Sequence, residues 1–352
     1  MSKMRLVATL VALLSAVSPA WSQAHDLFYK DKEIKLMVGY APGGGYDTYA
    51  RIVAQFLGKH IPGNPTIVVQ NMPGADGLSL TNHMYVRAPK DGTVIALTNR
   101  NLAVAPALGL IETQNVHYDP TKFYWLANLN VELSVMVVRN DAGVASLDDL
   151  TRKQIVVGAT GITASNAVYP YVMNNLLNTK LKVVTGYPGT SHLTLALERG
   201  EIQGIGGWAW SSILVQRPDW VREKTILLLL QLGLQKHPDL KEVPLILDLA
   251  KTDDERQALS LIFAPEAMGR PFFIPPGVPS ERGSMLRAAF AAVANDPGFK
   301  AAAEKAKLDV SFMDGESLEK IVRQINAASP TSIELAKKIT QRHNTEVESK
   351  PK

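Results

Sequence analysis

Residues 34–57 constrain the fold most. They read Ile-Lys-Leu-Met-Val-Gly-Tyr-Ala-Pro-Gly-Gly-Gly-Tyr-Asp-Thr-Tyr-Ala-Arg-Ile-Val-Ala-Gln-Phe-Leu. The apolar run 34–38 predicts a strand. It breaks at Pro42-Gly43-Gly44-Gly45, and apolar residues then return at Ile52, Val53, Phe56 and Leu57, the spacing of a helix. A strand, a glycine loop and a helix in succession turn backbone N–H groups toward an anion at the helix start. Glycines there let the backbone approach a ligand closely, and Asp47 is placed to cap the helix. Tyr40, Pro42, Gly43, Gly44, Gly45, Tyr46 and Asp47 are therefore candidate ligand contacts; a tight turn with no ligand is the alternative. No Lys-Ser or Lys-Thr follows the loop, and its glycines are consecutive, so neither the phosphate loop nor the dinucleotide fingerprint is present.

The arrangement recurs at Ile155-Val-Val-Gly-Ala-Thr-Gly-Ile-Thr-Ala-Ser, followed by Val168, Tyr171, Val172, Leu176 and Leu177 on a helix. Hydroxyls of Thr160, Thr163 and Ser165 cluster where the first-turn N–H groups lack partners within the helix. A carboxylate held by residues 160–165, with Gly161 and Ala164 among them, would meet both donors and a favourable dipole. An N-cap cluster without a ligand is the alternative. Strands near 34–39, 66–70 and 93–97 alternate with helices near 47–59 and 77–87, which predicts an α/β fold with a largely parallel sheet. Ligands of such sheets lie beyond the carboxyl ends of the strands. Asn99 follows the third strand and joins the candidates. Arg100 reads as a solvated or interdomain residue.

Two further segments, Ile67-Val-Val-Gln-Asn-Met-Pro-Gly-Ala-Asp-Gly77 and Ala88-Pro-Lys-Asp-Gly-Thr-Val-Ile-Ala-Leu97, complete an ordered set. With the Pro-Gly-Gly loop they resemble the periplasmic solute receptors of the tripartite tricarboxylate transporter family, the Bug receptors. The resemblance runs from about Glu33 to Gln324. It implies a two-lobed, type II-like clamshell of mostly parallel sheets flanked by helices, with the ligand cleft between lobes. The implied division is residues 25–125 plus 245–338 for one domain, 126–244 for the other, and 339–352 as a tail. It also implies that the 160–165 loop faces the Pro-Gly-Gly loop and grips a ligand carboxylate, and that Tyr187, Gly189 and Thr190 line the cleft. The implied partners are a small carboxylate and the large and small integral-membrane subunits of a transporter. The protein is expected to act as a monomer, with no cofactor and no metal. Gln203 stands where the family has Asp. Trp208 and Trp210 flank a glycine-rich stretch, and Trp208 is a candidate apolar wall; ordinary core is the alternative. Together with Tyr46 these departures point away from a citrate-like ligand and toward a dicarboxylate or an aromatic acid.

Residues 1–24 have Lys3 and Arg5, an apolar run Leu6–Val17 and small residues before Ala24, which predicts a secretory signal peptide cleaved near Ala24 and a periplasmic location. There is no cysteine, so packing alone must hold the fold. The net charge of +4 falls to +2 without Lys3 and Arg5, and no basic tract argues for nucleic acid. Scattered histidines and the lack of a Gly-x-Ser-x-Gly elbow disfavour a secreted hydrolase. A ligand sensor serving a membrane kinase would use the same clamshell and is the other alternative.

Overall fold

The computed structural model describes residues 28–342 and a short strand at Val347–Ser349. The expected signal peptide lies outside the described residues. Four strands come first: β1 (Glu33–Val38), β2 (Thr66–Asn71), β3 (Val94–Leu97) and β4 (Tyr124–Asn128). Five follow: β5 (Ser134–Arg139), β6 (Ile155–Gly158), β7 (Leu181–Thr185), β8 (Gly204–Ala209) and β9 (Ile226–Leu232). The last are β10 (Pro271–Ile274), β11 (Met313–Asp314) and β12 (Val347–Ser349).

They form two six-stranded sheets, ordered β11-β4-β10-β3-β1-β2 and β12-β7-β6-β8-β5-β9. The two share one plan. In the first, β1 is parallel to β2 and β3, and β10 lies antiparallel between β3 and β4. In the second, β6 is parallel to β7 and β8, and β5 lies antiparallel between β8 and β9. In each sheet the antiparallel strand is the first one reached after the chain has crossed from the other. The chain is a two-lobed α/β molecule, with β1, β2 and β3 of one lobe and β6, β7 and β8 of the other presenting their carboxyl ends to connecting loops.

Local sequence accounts for the elements. β3 is Val-Ile-Ala-Leu, buried throughout, as a strand covered on both faces must be. The helix Gly45–Leu57 buries Tyr49, Ala50, Val53 and Leu57, one apolar stripe against the first sheet. Near Ser146 a helix opens on a reciprocal cap. The Asp149 N–H donates to Ser146 Oγ (3.3 Å) and the Ser146 N–H donates to the Asp149 carboxylate (3.0 Å), opening the short helix Asp149–Arg152. Gln203 is structural: its Oε1 accepts from the Val156 N–H at 3.0 Å. At the C-terminus, where the polar composition reads as a loose tail, Val347–Ser349 instead pairs in parallel with Val183–Thr185. Backbone pairing to an open sheet edge needs no apolar side chains, so composition does not reveal it.

The two crossings run side by side. Gly269 N–H donates to the Asn130 carbonyl (2.9 Å), Glu132 N–H to the Glu266 carbonyl (2.8 Å) and Arg270 N–H to Asn128 Oδ1 (2.7 Å). Arg270 is fully buried there. Its Nη2 lies 3.0 Å from the Glu132 carboxylate and 2.7 Å from Ser211 Oγ, and its guanidinium covers the rings of Tyr46 and Tyr49. Removing one partner of a buried pair strands the other charge, which costs about 3–5 kcal/mol. Arg270→Met is therefore expected to lower unfolding stability by that amount in urea titration; a loss under about 1 kcal/mol would show that Glu132 needs no counter-charge.

Candidate ligand-binding cleft

Loops from the carboxyl ends of β1, β2 and β3 meet loops from β6, β7 and β8. Contact is direct: the Ala41 N–H reaches the Pro188 carbonyl (3.5 Å), and a Cβ on Gly44 would sit 3.1 Å from Thr190 Oγ1. Between the lobes lie an inner cavity of about 50 Å³ and an outer cleft of about 900 Å³. Tyr40 and Thr160 line both and form their shared wall.

Of the residues expected from sequence, the inner cavity brings together Tyr40, Gly44, Gly45, Tyr46, Asn99, Thr160, Ala164, Ser165 and Thr190. Gly161, Thr163 and Tyr187 line the outer cleft. Three helices start at the inner cavity: Gly45–Leu57, Ser165–Leu177 and Thr190–Glu198. Their N-cap positions are Gly44, Ala164 and Gly189, and none makes a side-chain cap. Their positive dipole ends thus converge from both lobes on one small polar space. Tyr40 and Tyr46 stack at 4.9 Å as its aromatic side.

Five expected contacts line neither cavity. Pro42 and Gly43 form the outside of the turn, with Gly43 at φ 84°, and Gly189 serves as a helix N-cap against Ala41. Asp47 turns back into its own lobe and accepts from the Gly43 N–H, Arg51 Nε and Asn71 Nδ2, each at 2.9 Å. Burial pushes its carboxyl up, but these bonds outweigh burial and hold it below the usual range. Trp208 is fully buried in the core of the second lobe, edge-on to Trp220 at 6.3 Å. Only its backbone neighbours Gly207 and Ala209 reach the cavity, because alternation along β8 turns the indole to the opposite face.

Sequence reasoning missed three groups. Arg100, read as a solvated or interdomain residue and not as a cavity residue, is 4% exposed, joins the lobes and lines the inner cavity. Its Nη2 donates to Glu266 Oε1 (2.6 Å), Ser134 Oγ (3.0 Å) and Ser165 Oγ (3.2 Å), tying both lobes together. Burial opposes its charge, yet the Glu266 carboxylate keeps it firmly protonated. Ser212 is the second group, a hydroxyl on the cavity wall. The third is Asp76, 7% exposed, in the turn between β2 and the helix Leu78–Val86. Its carboxylate accepts from Tyr40 Oη (2.9 Å) and Asn99 Nδ2 (2.6 Å) in its own lobe, and from Thr160 Oγ1 and Thr163 Oγ1 (both 2.8 Å) in the other. Burial drives the Asp76 carboxyl up to about 6, against the lowering effect of these four bonds. A turn carrying Asp between two glycines was the available signal. Among the described residues no group of three or more His, Asp or Glu side chains could hold a metal ion, and no helix is long and apolar enough to cross a membrane.

Two outcomes follow from this geometry. A carboxyl whose folded value, about 6, exceeds its ordinary 3.8 binds its proton more tightly folded than unfolded. Stability should therefore decline as pH rises from about 4 to about 6, by at most about 3 kcal/mol from this group. Asp76→Asn should remove that decline in urea titrations across pH, and carboxyl-carbon NMR should show the Asp76 midpoint directly. Trp208→Ala should cost about 3–5 kcal/mol of stability in urea titration; a loss under about 1 kcal/mol would show that the indole is not part of the core.

No family model matches the chain. It is 29% identical over 181 residues to a UPF0065 protein from the TAR-I ttuE-ttuC' intergenic region of Agrobacterium vitis, covering 49% of this chain and 50% of that one. A UPF0065 protein from the gbd 5' region of Cupriavidus necator is 30% identical over 145 residues, 41% of each chain. The matched stretch thus spans half or less of these two curated relatives. Similarity to solved structures extends further. The periplasmic binding protein BugD superposes with a TM-score of 0.70 at 20% identity, covering 91% of this chain and 100% of that one. R. palustris Rpa4515 with adipate gives 0.68 at 16%, covering 88% and 97%. MatC from Rhodopseudomonas palustris with bound malate gives 0.67 at 17%, covering 88% and 99%. The chain has the two-lobed α/β fold of these periplasmic binding proteins.

Proposed function

We propose that this protein is a periplasmic receptor that captures a small organic acid, a dicarboxylate or an aromatic acid, and delivers it to a tripartite tricarboxylate-type membrane transporter. The observation that carries the reading is the convergence of three helix N-termini from two lobes on one inner cavity. Such ends favour an anion. The cavity, about 50 Å³, has room for a carboxylate group or one to two waters, each of which takes about 30 Å³ in the liquid. Arg100, whose charge is balanced by Glu266, lines the wall, and its Nε has no hydrogen-bond partner among the described residues.

The motifs at Pro42–Gly45, Asn71–Gly77 and Pro89–Gly92 support the family assignment, as do the folds of the structures with adipate and malate. The aromatic side of the cleft is tyrosine, supplied by Tyr40, Tyr46 and Tyr187, and that composition keeps an aromatic acid within the ligand class. Binding works by closure: an acid that touches loops of both lobes stabilises the closed form by its extra affinity for that form.

Thermal melting of the mature protein against aliphatic and aromatic mono- and dicarboxylates tests this. A true ligand at a hundredfold excess over its Kd adds about 2.7 kcal/mol of apparent stability. At least one acid should raise the melting temperature clearly. No response to any acid, from protein refolded to strip carried-over ligand, would end the receptor reading.

A further inference from the structure

Asp76 places a carboxylate of the protein's own among donors that both lobes offer. Tyr40, Asn99, Thr160 and Thr163 give it four hydrogen bonds, two to each oxygen. A carboxylate has about four lone-pair sites, so its accepting capacity is used up. The backbone is bent to put it there. Gly74, Ala75, Asp76 and Gly77 have φ of 152°, 44°, 56° and 86°, and two of the four are not glycine. Strain of that kind at non-glycine residues persists where surrounding contacts enforce it. The other lobe is shaped to receive the side chain: a Cβ on Gly161 would lie 2.4 Å from the Asp76 Cβ.

We infer that the cleft has two carboxylate seats and that Asp76 permanently fills one, so that the ligand is a monocarboxylate with an uncharged distal end. This rests on the receptor reading above, keeps its small organic acid and sets aside the dicarboxylate. The free seat is the inner cavity with its helix N-termini and Arg100. The filled seat is the wall between that cavity and the outer cleft, where Asp76 engages both shared wall residues, Tyr40 and Thr160. An acid seated inside must extend past this wall. A second carboxylate arriving there meets a buried like charge and no spare donor from Asn99, Thr160 or Thr163. Beyond the wall the outer cleft is lined by Glu112 and Arg342, one charge of each sign beside Asp76, which gives no surplus positive charge for a distal carboxylate. An apolar or neutral tail, aliphatic or aromatic, meets none of these penalties.

Titration calorimetry and melting of the mature wild type, Asp76→Gly and Asp76→Asn test the inference with matched probes: butanoate and succinate, benzoate and terephthalate, and acetate alone. Position 76 has positive φ, which glycine adopts without strain, so Asp76→Gly preserves the turn while emptying the seat. Wild type should bind a monoacid at least tenfold more tightly than its matched diacid. Asp76→Gly should gain tenfold or more for the diacid, and acetate at millimolar concentration should raise its melting temperature by more than it raises that of wild type, whose one free seat it can also enter. Asp76→Asn, which keeps the seat filled without charge, should respond to acetate no more than wild type does. Equal affinity of wild type for both members of a pair, or no gain for the diacid in Asp76→Gly, overturns the inference. A response of Asp76→Gly to acetate no larger than that of wild type overturns the filled seat whatever wild type binds. Silence of wild type toward every acid, with acetate still acting on Asp76→Gly, supports the seat and refutes the receptor reading instead.

Discussion

Burial of four charges between the lobes is the constraint on which the rest of the structure depends. Arg100 and Glu266 form one pair at 2.6 Å, and Arg270 and Glu132 form another at 3.0 Å. A buried charge without its partner is costly enough to dictate geometry. Each pair draws on separate parts of the chain. Arg100 follows β3, Glu266 and Arg270 lie on the returning segment, and Glu132 lies on the outgoing one. Ser134 and Ser165, both hydrogen-bonded to Arg100, refer the second lobe to the same point. The start of the helix Ser165–Leu177 is thereby fixed relative to the first lobe, and the cleft inherits its shape from that layer.

Polarity is distributed unevenly across this interface. Helix N-termini and Arg100 make the inner cavity attractive to an anion, while Asp76 puts negative charge at its outer wall. A bound anion is drawn inward and its remainder meets a wall that disfavours further negative charge. Such a field gradient orients a ligand without any direct salt bridge to it. Fixed dipoles at helix ends require no reorganisation when the ligand arrives, and bridging waters can complete the contacts.

Much of this was legible in the chain because it is locally encoded. Small residues between a buried strand and an amphipathic helix identify both loops, and Gly44, Gly45, Thr160 and Ser165 meet at one cavity. Pro42, Gly43 and Asp47 belong to the same loop but shape it from outside, a distinction that depends on how the turn folds back. Arg100 was left between a solvated and an interdomain role because unpaired arginines seldom lie inside; its partner Glu266, which decides for the interdomain role, is 166 residues away. Trp208 misled because an indole beside glycines suggests a pocket wall, whereas register along β8 decides which face it takes.

What the sequence determined by itself is the set of elements, the doubled strand-loop-helix plan and the chemistry of the loops. These follow from hydrophobic period, glycine placement and capping residues, all short-range effects. Only the tertiary structure decided which lobe each donor faces and that Asp76 occupies four of them, because those contacts join residues 23 to 87 positions apart. Hydrogen-bond partnership at such separation depends on how two lobes are held together, and no local pattern in the chain records it.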